Sequence, residues 1–244
     1  MSGHSKWSTI KHKKEKTDSQ RAKIFTKIGR EMSVAVRESG TDPTTNSKLR
    51  DLIAKAKANN VPNDNIDRII KKAAGDGDKN NYETVIYEGY GPDGVAVIVD
   101  CLTDNRNRTA ADIRHYFDKF GGNMGTTGCV SFMFDKKGII IIEGITDEEK
   151  AMEDFINSGA DDFEIQDGVA QVYTTVPDFS KAREGIEGFG YTFLSAEISE
   201  VPTTYTTLTN SESLIKMGKL LELLEENDDV QNVWHNLENE DDLA

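Results

Sequence analysis

Gly138-Ile-Ile-Ile-Ile-Glu-Gly-Ile-Thr-Asp147 runs straight into Glu148-Glu-Lys-Ala-Met-Glu-Asp-Phe-Ile-Asn-Ser158, a β-branched apolar run followed by a helix-forming segment. The first part reads as a strand over 138–143 and the second as a helix over 147–158. Strands at 162–165 and 169–175, a helix at 178–188 and a strand at 191–200 complete the series. That βαββαβ order is the split-βαβ, ferredoxin-like arrangement. The predicted fold class is therefore α+β.

On either side the pattern is less regular. Tyr82–Tyr90 and Val95–Leu102 read as paired strands around Gly91-Pro92-Asp93-Gly94, with a helix at 108–120 and a strand at 129–134. Beyond 202, a strand at 203–209 leads to a helix opened by the capping-box pair Thr209 and Glu212. Leu214, Met217, Leu221 and Leu224 form the core face of this helix, and a short strand near 230–234 follows. Residues 80–135 alone leave an incomplete sheet that 203–244 can supply. Residues 136–202 are thus expected as a domain inserted into one built from 80–135 plus 203–244, with Glu238–Ala244 a disordered acidic tail.

Residues 1–79 form a third unit, a basic arm and a three-helix bundle. In the arm, Lys6, Lys11, Lys13, Lys14 and Lys16 surround Trp7 and Ile10. The lysines suit phosphate contact, and Trp7 either stacks on a base or pins the arm to the helices behind it. A first helix is predicted from Asp18 or Ser19 to Gly40. At about 100° per residue, Ile24, Ile28, Met32, Ala35 and Val36 gather around Phe25, while Lys23, Lys27, Arg30 and Arg37 form a basic stripe opposite. Asp42 with Pro43 suggests the start of a second helix, carrying Leu49, Leu52, Ile53 and Ala56. After Val61-Pro62 a third carries Ile66, Ile69, Ile70 and Ala73 and stops at Gly75, before a polar linker at 75–81.

Charge separates these parts. Residues 1–75 hold 17 of the 29 Lys and Arg but only 8 of the 43 Asp and Glu, a formal +9, which leaves −23 on residues 76–244. A phosphate polymer is attracted to the first part and repelled by the second. The split also lets the acidic body fold back on the basic module and compete with nucleic acid. Apolar runs fall short of the roughly 20 residues that cross a bilayer. The N-terminus lacks the apolar core of a signal peptide, and Cys101 and Cys129 lack paired spacing. A cytoplasmic monomer without a membrane partner is expected.

Motifs of catalysis fail on context. Gly89-Tyr-Gly91-Pro-Asp-Gly94 matches a dinucleotide fingerprint, but a strand follows where a helix is required. Gly121-Gly-Asn-Met-Gly-Thr-Thr-Gly128 lacks the lysine of a phosphate loop. Asp76, Asp78 and Asn80 begin like a calcium loop, but Asn81 and Tyr87 stand where Gly and Glu belong. The four histidines lack metal-ligand spacing. No catalytic residue, metal ligand or cofactor is assigned, and the chain reads as a non-enzyme. Thr103-Asp-Asn-Arg-Asn-Arg-Thr109 stands apart, because it places Arg106 and Arg108 at a helix's positive end, where the macrodipole disfavours cations. A phosphate shared by both arginines would explain it, and so would a salt bridge to a nearby carboxylate.

Several of these stretches together resemble the YebC/PmpR family. They are Gly3-His-Ser-Lys-Trp7, Asp18 with Arg21-Ala-Lys-Ile-Phe-Thr-Lys27, Asn46-Ser-Lys-Leu-Arg50, Tyr87-Glu-Gly-Tyr-Gly-Pro92, Thr103–Thr109, Gly121-Gly-Asn-Met-Gly125 and Asp228-Asp-Val-Gln-Asn-Val233. The resemblance implies a helical bundle, an α+β domain and a ferredoxin-like domain inserted in it. It further implies a DNA-binding transcriptional regulator. Relatives that act as mitochondrial translational activators of cytochrome oxidase, or on the bacterial ribosome, leave open a translation factor bound to ribosomal RNA. An adaptor working through the acidic face is a third reading. Under either nucleic-acid reading the expected contacts are Lys6, Lys11, Lys13, Lys14, Arg21, Lys23, Lys27, Arg30, Arg37, Arg106 and Arg108. Lysine-rich arms favour backbone contact over base readout, and no helix-turn-helix signature is evident.

Overall fold

In the computed structural model, which describes residues 18–75 and 81–243 and only the backbone of 18–21, the four isoleucines lie in a strand covered on both faces. They belong to β4 (Phe134–Glu143), where Ile140 and Ile142 face one core and Ile139 and Ile141 another, all at most 2% exposed. Burying each contributes about 1.5–3 kcal/mol. The strand is central in an antiparallel sheet of order β5-β6-β4-β7, whose other strands are β5 (Asp162–Gln166), β6 (Val169–Thr174) and β7 (Phe193–Pro202). Phe155 of α5 (Glu148–Ser158) and Phe179 and Ile186 of α6 (Phe179–Gly188) cover one face. This is the βαββαβ arrangement in its ferredoxin-like strand order.

A second antiparallel sheet, of order β3-β1-β2-β8, is assembled from distant parts of the chain. It comprises β1 (Glu83–Tyr90), β2 (Ala96–Thr103), the short β3 (Asn123–Met124) and β8 (Val230–His235). Ile113 and Phe117 of α4 (Arg106–Lys119) pack on it together with Met217, Leu220 and Leu224 of α7 (Ser211–Glu226). The Pro92–Gly94 turn between β1 and β2 is tight, with Asp93 and Gly94 both at positive φ. Gly89 is needed where β3 crosses β1, because a Cβ there would lie 2.6 Å from the Asn123 carbonyl.

Three helices make the N-terminal module: α1 (Asp18–Ser39), α2 (Ser47–Ala58) and α3 (Asn63–Ala74). Ile28, Met32, Ala35 and Val36 of α1 meet Leu49, Leu52, Ala56, Ile66 and Ala73 in a core of their own. The predicted arm at 2–16 lies outside the described residues, as does most of the predicted linker.

Several local expectations are corrected. Asp42 closes a turn by accepting from the Thr44 amide (2.8 Å), and the cap of α2 is Asn46. Its buried amide donates to the Ala35 and Gly40 carbonyls (both 2.8 Å) while its Oδ1 accepts from the Leu49 amide, so the helix starts four residues after Pro43. Helix α4 begins at Arg106, two residues early, capped by Asn105. Residues 129–133 are not a strand. The Gly128, Val130 and Ser131 amides donate to the buried Glu88 carboxylate at 2.7, 2.9 and 2.9 Å, so they are unavailable to a ladder, and pairing starts at Phe134.

Nor is 203–209 a strand. The Thr203 amide and hydroxyl both donate to the Met133 carbonyl, and a single bridge joins Thr206 to Leu237. Asn210, not Thr209, caps α7, and its buried stripe is Ser213, Met217, Leu220 and Leu224, with Leu214 and Leu221 only half-buried. Residues 238–243 are ordered: Asn239 exchanges hydrogen bonds with both main-chain groups of Leu208, and Leu243 packs on the core.

Burial pushes the Glu88 pKa up, but its three amide partners outweigh this and hold the carboxyl below its ordinary value. Replacing Glu88 with Gln removes an acceptor the amides need and should cost about 2 kcal/mol in urea unfolding at pH 7. Because the folded pKa is depressed, the gap between the two proteins should be full above about 4.5, the ordinary value, and shrink as pH falls through the lowered one.

Candidate nucleic-acid interface

Two helices in this fold are charged against their own dipoles. Helix α7 ends in Glu222, Glu225 and Glu226 with no cation in its last turn, so acids crowd its negative end. Helix α4 opens with Arg106 and Arg108 and has no acid in its first turn. The fold brings the two ends together beside the turn 227–229 and lays α1 across them.

The basic stripe of α1 supplies what α7 lacks. Lys27 Nζ donates to the Glu225 carbonyl at 2.9 Å, and Lys23 Nζ lies 3.7 Å from the Glu226 carboxylate. Arg30 donates to the Asp228 carbonyl at 2.6 Å and to Asp229 Oδ1 at 3.1 Å, with its guanidinium 5.4 Å from the centre of the Tyr82 ring. The other Asp229 oxygen accepts from Arg108 (2.7 Å), Thr109 (2.8 Å) and Thr103 (3.2 Å). Arg108 also reaches Asp104 at 2.9 Å. Main-chain bonds fix the carboxylate in place, since the Asp229 carbonyl accepts from the Leu102 amide and its amide donates to Asn227. Burial acts to raise the Asp229 pKa, but the hydrogen bonds from Arg108 and Thr109 prevail and hold it below the ordinary value.

A second contact ties the module to the other sheet. Arg183 of α6, only 4% exposed, donates to Asp51 of α2 at 3.1 Å, and the Ser180 hydroxyl donates to the same carboxylate. Between these contacts Lys55 lies 3.4 Å from Glu31 and faces Glu197 of β7 and Asp100 of β2. Burial would lower the Lys55 pKa, and the surrounding carboxylates reverse that and raise it.

Of the candidate contacts, the structure therefore brings together Lys23, Lys27, Arg30 and Arg108, around a turn of the chain's own acidic body. The α1 stripe is not an open face along these three residues. Arg37 is exposed at the far end of α1, and Arg106 is exposed beside the Tyr87 hydroxyl, which donates to its carbonyl. Arg108 takes the salt bridge; Arg106 makes no ion pair among the described residues. Arg21 is described in backbone only, and Lys6, Lys11, Lys13 and Lys14 lie outside the described residues. Sequence reasoning missed the exposed cations Arg68, Lys71 and Lys72 on α3, legible as the polar face opposite Ile66, Ile69 and Ala73. It also missed Asp229, whose signal was the pair of arginines misplaced at the start of α4. Among the described residues no His, Cys, Asp or Glu cluster is arranged to hold a metal ion, and no helix is long and apolar enough to cross a membrane.

An α+β protein in which a cationic three-helix module is clamped onto an acidic body of two antiparallel sheets is the class defined by this geometry. The chain belongs to the TACO1/YebC family: the model of that family's N-terminal domain matches residues 5–76, and the model of its second and third domain matches 82–237. A relative from Acetivibrio thermocellus, named "Probable transcriptional regulatory protein", is 60% identical over 97% of this chain and 98% of its own. One of the same name from Finegoldia magna is 54% identical over 98% of this chain and all of its own. The crystal structure of a conserved hypothetical protein from Aquifex aeolicus is similar with a TM-score of 0.84 at 44% identity, covering 95% of this chain and 96% of that one.

Replacing Asp229 with Asn leaves Arg30 and Arg108 facing a neutral group and should cost about 2–4 kcal/mol in urea unfolding. Glu226→Gln, an exposed partner, should change stability by less than about 1 kcal/mol. Since the folded Asp229 pKa is lowered, its contribution should be complete above about 3.8, the ordinary value, and disappear as pH falls through the lowered one.

Proposed function

We propose that the chain is a nucleic-acid-binding regulator of gene expression, acting on duplex DNA through the cations of residues 1–79. In this reading, 80–135 with 203–244 and the inserted 136–202 are its acidic carrier, and the protein works in the cytoplasm. The observation that carries it is the concentration of 17 of 29 cations in the first 75 residues of a chain whose remainder is strongly acidic. The name borne by full-length relatives supports regulation of transcription. The exposed Arg68, Lys71 and Lys72 of α3 add cationic surface to the module. Contacts of this kind grip phosphates and position the chain without reading bases.

The test uses the arm. Replacing Lys6, Lys11, Lys13 and Lys14 with Gln in the full chain should weaken binding to a DNA duplex and lower the slope of log affinity against log salt by about 3–4. An unchanged slope would exclude the arm. Co-sedimentation with ribosomes, together with indifference to duplex DNA, would instead favour the translation-factor reading.

A further inference from the structure

The acceptors that meet the α1 stripe form a ladder of oxygens. In order along the helix they are the Glu226 carboxylate beside Lys23, the Glu225 carbonyl on Lys27, and the Asp228 carbonyl with the Asp229 carboxylate on Arg30. Lys23, Lys27 and Arg30 stand at i, i+4 and i+7, a row about 10 Å long at roughly 1.5 Å per residue. That length matches about three phosphate-to-phosphate steps of one strand at roughly 3.4 Å per step along the axis. Arg108 extends the row from the neighbouring helix through the same Asp229 carboxylate.

We propose that Lys23, Lys27, Arg30 and Arg108 form a second polyphosphate site, occupied in this structure by the turn 225–229 as an internal mimic of a nucleic-acid backbone. The inference rests on the nucleic-acid reading above and adds how the site is regulated. Turn and phosphate backbone compete for one set of donors, so nucleic acid engages this row only when the module moves off the turn. The hydrogen-bond and ion-pair partners at the α1–turn contact are charged or main-chain groups, with the Tyr82 ring beside Arg30. The exchange swaps one set of oxygen acceptors for another. Opening must also release the Arg183–Asp51 contact with the other sheet, while the module's own core of Ile28, Met32, Leu49 and Ile66 stays intact.

The test weakens the mimic while leaving every cation in place. Full-length Glu226→Gln and Asp229→Asn are titrated with a 20-base-pair DNA duplex and with the RNA duplex of the same sequence. Glu149→Gln, on the exposed face of α5, controls for loss of one negative charge anywhere. The proposal predicts about three-fold tighter binding for Glu226→Gln and about ten-fold for Asp229→Asn on at least one duplex, with Glu149→Gln close to wild type. Hydrogen exchange of the wild-type chain guards against misfolding of the Asp229 variant: the amides of 225–230 should exchange faster when the duplex is bound. Binding that depends on the arm lysines but ignores Glu226 and Asp229, with 225–230 unchanged or protected, overturns the mimic and leaves the functional reading standing. Absence of binding to either duplex at low salt by all four proteins overturns both.

Discussion

A single carboxylate joins three parts of this molecule. Asp229 accepts from Arg30 of the helical module, from Arg108 and Thr109 of α4, and from Thr103 at the end of β2. A buried acid is tolerated only when its lone pairs are filled, and here two guanidinium groups and two hydroxyls fill them. The position of α1 on the body follows from that requirement. So does the tolerance of two helices whose terminal charges oppose their dipoles, because acids at one end and arginines at the other compensate at a common point.

The same geometry changes the meaning of the charge split. Composition suggests a cationic front and an anionic rear acting on the outside world. The structure shows that part of each is turned inward: Lys23, Lys27 and Arg30 meet the C-terminal end of α7, and Arg183 of the body meets Asp51 of the module. Lys55 sits between, among Glu31, Glu197 and Asp100. Charge that looks like a binding surface in the sequence is partly the adhesive between the chain's own units.

Periodicity made the order of the ferredoxin-like elements legible, because strands β4 to β7 and helices α5 and α6 alternate clearly, although β4 begins four residues before the predicted 138 and β7 runs two residues later than the predicted 191–200. The stripe on α1 was equally legible, but its partner was not. Nothing local in Asp228-Asp229 announces that the turn will lie against residues two hundred positions earlier. Capping was read wrongly at Asp42 and Thr209 because the residues that won, Asn46 and Asn210, carry amides as able to cap as a carboxylate or hydroxyl, and tertiary acceptors at Ala35 and Gly40 decided the first case. The false strand at 129–134 failed for a similar reason: Glu88, in another strand, claims the amides its ladder would have used. The ordered C-terminal residues were missed because acidity was weighed and the single Leu243 was not.

The pairing of β2 with β8 imposes an order in time. A ribosome releases β1 and β2 long before β8, the partner that covers β2's outer edge, so Val97 waits for His235 and Val99 for Val233. Meanwhile β4 through β7 have every partner they need and can close as a unit while synthesis continues. Asp229 lies one residue before β8, so the seal on the sheet and the clamp on the helical module arrive in the same stretch of nascent chain. A chain made only as far as β7 thus carries an uncovered β2 edge and unclaimed cations at once, and the arrival of residues 229–235 removes both together.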